Sequence, residues 1–264
     1  MGGRLDAVNI LDADIAVITS IAIDHQAWLG NNREDIGREK AGICRPGQIL
    51  ICADNDPPAS VRQHARELDC QSRWLDQDFA YQVAQQHDER HVTFRVGING
   101  AETTVSCSVE MLNLPFPSIA AALQVLYELT LPVSEPRAQQ VLGGSALSGR
   151  FQRITLPTVD CVIDVAHNPA AMSLLVERLR QAFPGRRVLA IVGMMEDKDI
   201  GEALAELAGL VDEWHFVSLI GVPRAAKADK LHDGLKGIGY NLGCGDISVR
   251  LHESIDRGLE SVIT

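Results

Sequence analysis

Apolar runs of strand length alternate along the chain with segments of helical period, and this alternation predicts an α/β fold. Asp14-Ile15-Ala16-Val17-Ile18-Thr19 reads as a buried strand, Arg33 to Ala41 as a helix stopped by Gly42, and Gln48 to Cys52 as a second strand. Pro57 to Leu68 has helical spacing. From Ser72 to Ser108 that period is lost, and alternations such as His91-Val92-Thr93-Phe94-Arg95-Val96 predict antiparallel strands or hairpins. Ile119 to Leu129 and Glu135 to Leu142 read as helices ahead of a Gly143-Gly144-Ser145 turn. From Phe151 the pattern restarts: strand at Cys161 to Val165, helix at Ala170 to Ala182, strand at Arg187 to Val192, helix at Ile200 to Leu207, strand at Trp214 to Ser218. The restart, with small residues and glycines between Ser145 and Arg150, predicts two units, 1–147 and 148–264, each with its own core.

The length of 264 residues agrees with two units at about 150 residues each. Lys and Arg number 24 against 35 Asp and Glu, a net charge of −11, which argues against a broad surface for nucleic acid or anionic lipid. An anionic ligand therefore needs a local cationic site. Mean hydropathy is +0.02, and no run approaches the ~20 apolar residues of a membrane span. The six cysteines (Cys44, Cys52, Cys70, Cys107, Cys161, Cys244) form no C-x-x-C pair, which suggests neither a zinc site nor a disulfide framework. With no secretory pattern at Met1 to Asp6, a cytoplasmic protein with reduced thiols is expected.

Asp164-Val165-Ala166-His167-Asn168-Pro169 joins an apolar strand to a helix, with Asn168 suited to the N-cap and Pro169 to the first helical position. Such a start serves either as a plain cap or as an anion-facing terminus at the carboxyl end of a parallel strand; capping alone needs neither Asp164 nor His167. Arg150, in Ser148-Gly149-Arg150-Phe151-Gln152-Arg153, is either a solvated linker arginine or a planar five-donor fork for a phosphate. By composition alone His25 reads as a packed or surface histidine, and Lys40 as a solvated lysine.

Six segments together, in order and spacing, resemble one family. They are Gly2-Gly3-Arg4-Leu5-Asp6-Ala7-Val8-Asn9, Thr19-Ser20-Ile21-Ala22-Ile23-Asp24-His25, Ile36-Gly37-Arg38-Glu39-Lys40-Ala41-Gly42-Ile43, Ser148-Gly149-Arg150-Phe151-Gln152, Asp164-Val165-Ala166-His167-Asn168-Pro169 and Gly193-Met194-Met195-Glu196-Asp197-Lys198-Asp199. The family is bacterial dihydrofolate synthase/folylpolyglutamate synthase, of the Mur ligase superfamily. The resemblance implies a partial Mur-ligase-type central ATPase domain over 1–147, followed by a Rossmann-like α/β C-terminal domain over 148–264. It also implies ATP-dependent ligation: a carboxylate of dihydropteroate, or of a folate glutamate tail, attacks the γ-phosphate of ATP, and L-glutamate captures the acyl phosphate. ATP and Mg²⁺ are the implied cofactors, and the implied state is a monomer with small-molecule substrates.

Residue by residue, His25 matches the family's magnesium-binding histidine and Lys40 its carbamylated lysine. An ammonium cannot ligate a cation, whereas a carbamate offers two hard anionic oxygens. Leu5, Asp6 and Ala7 match the pteroate-contacting segment. Arg150 and Asp164 match ATP-contacting residues, and His167 stands beside the nucleotide phosphates as a candidate catalytic group. The sequence departs from the family at three places. It holds no G-x-x-x-x-G-K-[ST] loop, the family's magnesium-binding Glu is absent, and Ser118 stands in Pro117-Ser118-Ile119-Ala120-Ala121-Ala122-Leu123 where the family's nucleotide-reaching Asn is usual. Both ends read as cut, and the chain on its own is expected to be inactive. Two rivals stand beside this reading, a cell-wall Mur ligase and a non-catalytic binding remnant.

Overall fold

The computed structural model describes residues 3–23, 29–86, 89–109, 112–156, 159–239 and 248–263. The chain divides into two compact units, Met1–Leu147 and Ser148–Thr264.

In the first unit a 3-10 turn at Ala7–Ile10 precedes β1 (Ile15–Ile18). Helix α1 (Arg33–Ala41) leads to β2 (Ile49–Cys52), and α2 (Ala59–Glu67) to β3 (Gln71–Trp74). The three strands form a parallel sheet in the order β1-β2-β3. The central strand is an unbroken apolar run because both its faces are covered: Leu50 and Cys52 join the core with Ile36, Val61 and Ala65, while Ile51 joins the core on the other side. Asn32 caps α1 by accepting from the Asp35 N–H at 2.9 Å. Glu34 of α1 in turn supplies the cap α2 lacks, accepting from the N–H groups of Ala59 at 2.9 Å and Ser60 at 2.8 Å. Those backbone donors hold the Glu34 carboxyl below its ordinary value.

The Ser72 to Ser108 region folds as β4 (Ala80–Gln86), β5 (Glu89–Ile98) and β6 (Ala101–Ser108), antiparallel in that order, with Asn99-Gly100 turning the second hairpin. Helix α3 (Phe116–Glu128) lays Ile119, Ala120 and Leu123 against Phe94, Val96 and Val105. Buried Gln124 mimics a strand neighbour: its Oε1 accepts from Gly97 N at 3.1 Å and its Nε2 donates to Gly97 O at 2.9 Å. Helix α4 (Glu135–Gly144) runs through Gly143 and Gly144 rather than turning there. The break comes one residue later, where the Ser145 hydroxyl donates to Val141 O at 2.7 Å.

The second unit opens with β7 (Gln152–Thr155) and β8 (Asp160–Ile163), paired antiparallel. This corrects the expectation that the strand before Asp164 feeds a parallel sheet; the three-residue apolar run Cys161-Val162-Ile163 does not encode its partner's direction. Then follow α5 (Pro169–Ala182), β9 (Leu189–Val192), α6 (Ile200–Ala208), β10 (Glu213–Val217), α7 (Ala228–Gly237), β11 (Ser248–His252) and α8 (Ile255–Ile263). β9, β10 and β11 form a parallel sheet with β10 at its centre. Trp214 and Phe216 stack at 5.5 Å and join the core with Leu204, Leu231 and Leu235. By the two-residue period, Glu213 and His215 face the opposite side. There Glu213 pairs with Arg187 at 2.8 Å and Arg250 at 3.1 Å, and His215 Nδ1 lies 3.0 Å from His252 Nε2. Burial pushes the His215 imidazole below its ordinary value. Among the described residues no helix is long and apolar enough to cross a membrane.

Candidate functional site

In the second unit Asp164 joins two of the singled-out segments. It leaves β8 and accepts with both carboxylate oxygens from main chain: Oδ2 from Phe151 N at 2.7 Å and Oδ1 from Ala166 N at 2.8 Å. Val165 N donates back to Gly149 O at 2.9 Å, and Gly149 N donates to Gln152 Oε1 at 3.0 Å. The turn that carries Arg150 is thus held on both sides, with left-handed φ of 69° at Gly149 and 44° at Phe151. Gly149 is required twice over, since a Cβ there would also sit 2.8 Å from Val165 Cγ1. The Arg150 side chain is exposed, and no described residue hydrogen-bonds or ion-pairs with it.

Beside that turn Asn168 caps α5, its Oδ1 accepting from Ala171 N at 2.9 Å, with Pro169 at the first helical position as the sequence suggested. His167 Nδ1 lies 2.8 Å from Val165 O. A carbonyl only accepts, so Nδ1 carries the proton in this contact. Phe151 is 1% exposed. Its ring lies under two guanidinium groups, Arg178 at 4.0 Å and Arg153 at 5.3 Å. Arg153 and Arg178 over the Phe151 ring, with Arg150 on the same turn, make this a cationic locality in a chain of net charge −11.

In the first unit the segment holding Leu5, Asp6 and Ala7 docks on the end of α1. Arg4 N donates to Glu39 O at 2.8 Å, the Arg4 guanidinium pairs with Glu39 Oε1 at 3.2 Å, and Asn9 Nδ2 donates to Gly42 O at 3.3 Å. Gly3, at φ 101°, approaches Glu39 so closely that a Cβ would meet its carbonyl oxygen at 2.7 Å. Lys40 stands half-buried in the last turn of α1 beside this segment, with no carboxylate partner among the described residues. Leu5 is 70% exposed, Asp6 half-buried and Ala7 exposed. The contacts to the end of α1 are made by Gly3, Arg4 and Asn9, which flank Leu5 to Ala7. Ser118 is half-buried in the first turn of α3, its N–H donating to Pro115 O at 3.0 Å. His25 lies outside the described residues.

Three residues that hold these segments escape a reading by motif. Asp54, 7% exposed after β2, accepts from Ile21 N at 2.6 Å and Asp56 N at 2.9 Å and pairs with Arg33 at 3.0 Å. With Arg33 and Arg178 it belongs to ordinary charged positions in sequence, and only the fold shows what each one grips. For a metal ion, no group of three His, Cys, Asp or Glu among the described residues comes close enough to hold one. Lys40 contributes an oxygen only as a carbamate.

The family model for the Mur ligase glutamate ligase domain matches residues 149–263. A dihydrofolate synthase/folylpolyglutamate synthase of Escherichia coli is 40% identical over 238 residues, covering 89% of this chain and 53% of that protein. The chain thus spans about half the length of the curated relatives it matches. The structure of Escherichia coli FolC in complex with ADP superposes with a TM-score of 0.82 at 34% identity, covering 100% of this chain and 59% of that one. The Yersinia pestis bifunctional enzyme, complexed with AMPPNP and Mn ion, gives 0.75 at 35% identity, with 99% and 64% covered. Residues 149–263 therefore match the Mur ligase glutamate ligase domain, and the chain as a whole is similar to bacterial dihydrofolate synthase/folylpolyglutamate synthase.

Proposed function

We propose that this chain is part of an ATP-dependent ligase that adds L-glutamate to dihydropteroate and to the glutamate tail of folates. The carrying observation is the turn pinned by Asp164, which presents an unpartnered Arg150 beside the start of α5 within the domain that matches the glutamate ligase model. Nucleotide complexes of the Escherichia coli and Yersinia pestis proteins support the same reading.

In the proposal the carboxylate of the acceptor attacks the γ-phosphorus of ATP, the bond to ADP breaks, and an acyl phosphate forms. The amine of L-glutamate then attacks the acyl carbon and phosphate leaves. A carboxylate approaching a triphosphate is repelled, so the residues' task is to hold charge in place before reaction. Arg150 supplies a planar fork to phosphate oxygens, and Asp164 fixes the main chain that carries it. Asp164 acts on the nucleotide through that main chain, since its oxygens are already committed to two N–H groups. His167 donates to a phosphate oxygen from Nε2 only as imidazolium. The resemblance assigns Ser118, in the first unit, a nucleotide contact. Leu5 and Ala7, exposed, with half-buried Asp6 between them, offer a surface for the flat pteroate ring.

Mg²⁺ belongs to this reading through His25 and a carbamylated Lys40. The described residues do not assemble its ligand set, and no step above passes through that ion. The setting is cytoplasmic, with the described cysteines free, and the state monomeric. ADP titrated into the full chain is expected to bind saturably, and Arg150→Ala to weaken it about tenfold, equivalent to about 1.4 kcal/mol. No binding, or equal binding by the variant, would contradict the proposal. Because the 264 residues hold no G-x-x-x-x-G-K-[ST] stretch, glutamate-dependent ADP release from dihydropteroate is expected to stay at background.

A further inference from the structure

We infer that Arg178 is the positioning residue of Arg150, acting through Phe151; this rests on the nucleotide reading of the Asp164 junction. Phe151 is a bulky residue held at φ 44°, a left-handed conformation that an L-residue keeps only where its surroundings over-determine it. Its backbone N–H is tied to Asp164 at 2.7 Å. Its ring is tied by Arg178, whose guanidinium stacks over it at 4.0 Å, closer than Arg153 on the same ring at 5.3 Å.

Arg178 belongs to the body of α5, the helix whose N-terminus opens beside the turn. It therefore couples that helix to the conformation of the residue following Arg150. Arg178 is half-buried, and burial works against its charge while Asp164 favours it. A guanidinium stays ionised there. Its charge offsets the carboxylate, so the junction does not repel an incoming phosphate. Lysine keeps the charge but lacks the planar group that covers the ring.

The test uses the full chain carrying Arg178→Gln, Arg178→Lys or, as a control, Arg153→Gln. Without ligand, amide exchange at Phe151 and Ala166 is expected to quicken at least tenfold in both Arg178 variants and less in Arg153→Gln, with the amides of β2 unchanged. Unchanged exchange at Phe151 in the two Arg178 variants overturns the inference. In ADP titrations Arg178→Gln is expected to weaken binding about tenfold when Arg150 is present and to add no further loss to Arg150→Ala. An equal loss in both backgrounds overturns it as well, because a general structural defect does not depend on Arg150. A wild-type chain that binds no ADP would sink the nucleotide reading, and the exchange rates alone would then decide the role of Arg178.

Discussion

The two units each contain an aspartate that leaves a strand and clamps main chain in the same way. Asp54 takes the N–H two residues on, Asp56 at 2.9 Å, with one oxygen and a distant N–H, Ile21 at 2.6 Å, with the other. Asp164 takes Ala166 at 2.8 Å and Phe151 at 2.7 Å. What differs is the arginine. At the first junction Arg33 closes directly on Asp54 at 3.0 Å and Asp56 at 3.1 Å and donates to Ile21 O at 3.0 Å, so its donors are used internally. At the second, the arginine on the clamped turn points away and the charge on Asp164 is met from α5 by Arg178. The same clamp thus serves as a closed strut in one unit and as a mount for an open cation in the other. A ligand-facing arginine is marked by what its neighbours leave unspent.

The largest effect that could break this comparison is Asp54→Ala. It removes two backbone bonds to a buried charged acceptor and strands Arg33, and is expected to cost about 3 kcal/mol in urea unfolding. Asp164→Ala, half-buried, is expected to cost about 2 kcal/mol and to abolish the ADP response, whereas Asp54→Ala leaves that response in whatever fraction is folded. Next comes a crossed pair. Arg33→Ala is expected to lower stability by about 1 kcal/mol with ADP affinity unchanged, and Arg150→Ala to leave stability within about 0.5 kcal/mol while weakening ADP. If both arginines behaved alike in either assay, the two junctions would not differ as described.

The smallest effect lies outside both junctions and serves as a control. His215 has its folded value pushed below the ordinary 6.5 by burial. The unfolded chain therefore binds more protons at this site, and the contribution is present above that value and lost as pH falls. Urea midpoints are expected to decline from pH 7.5 to 5.5, and His215→Phe to flatten that decline without altering ADP affinity. A midpoint rising over this interval would reverse the sign.

The α/β class was legible because strand runs such as Ile49 to Cys52 and helical spacing such as Pro57 to Leu68 are periodic properties, visible locally. The antiparallel partner of β8 was not legible, since its three apolar residues pack equally well in either direction. Beyond Ser218 the sequence reading named no element, yet α7, β11 and α8 follow. Ala228–Gly237 is rich in charge, with its apolar positions Leu231 and Leu235 spaced one turn apart. Arg150 and Asp164 in the second unit, and Glu39 and Lys40 in the first, stand in segments singled out by motif, while Asp54, Arg33 and Arg178 act through contacts 21 to 33 residues away or across a ring face. Such pairings leave no local period.

The most direct test of the Asp164 junction as the open mount is amide exchange of the full chain with and without saturating ADP. Protection is expected over residues 149–152 and 164–171, with residues 54–56 and β10 unaffected. Protection gathered at residues 54–56, with none over 149–152, would contradict it.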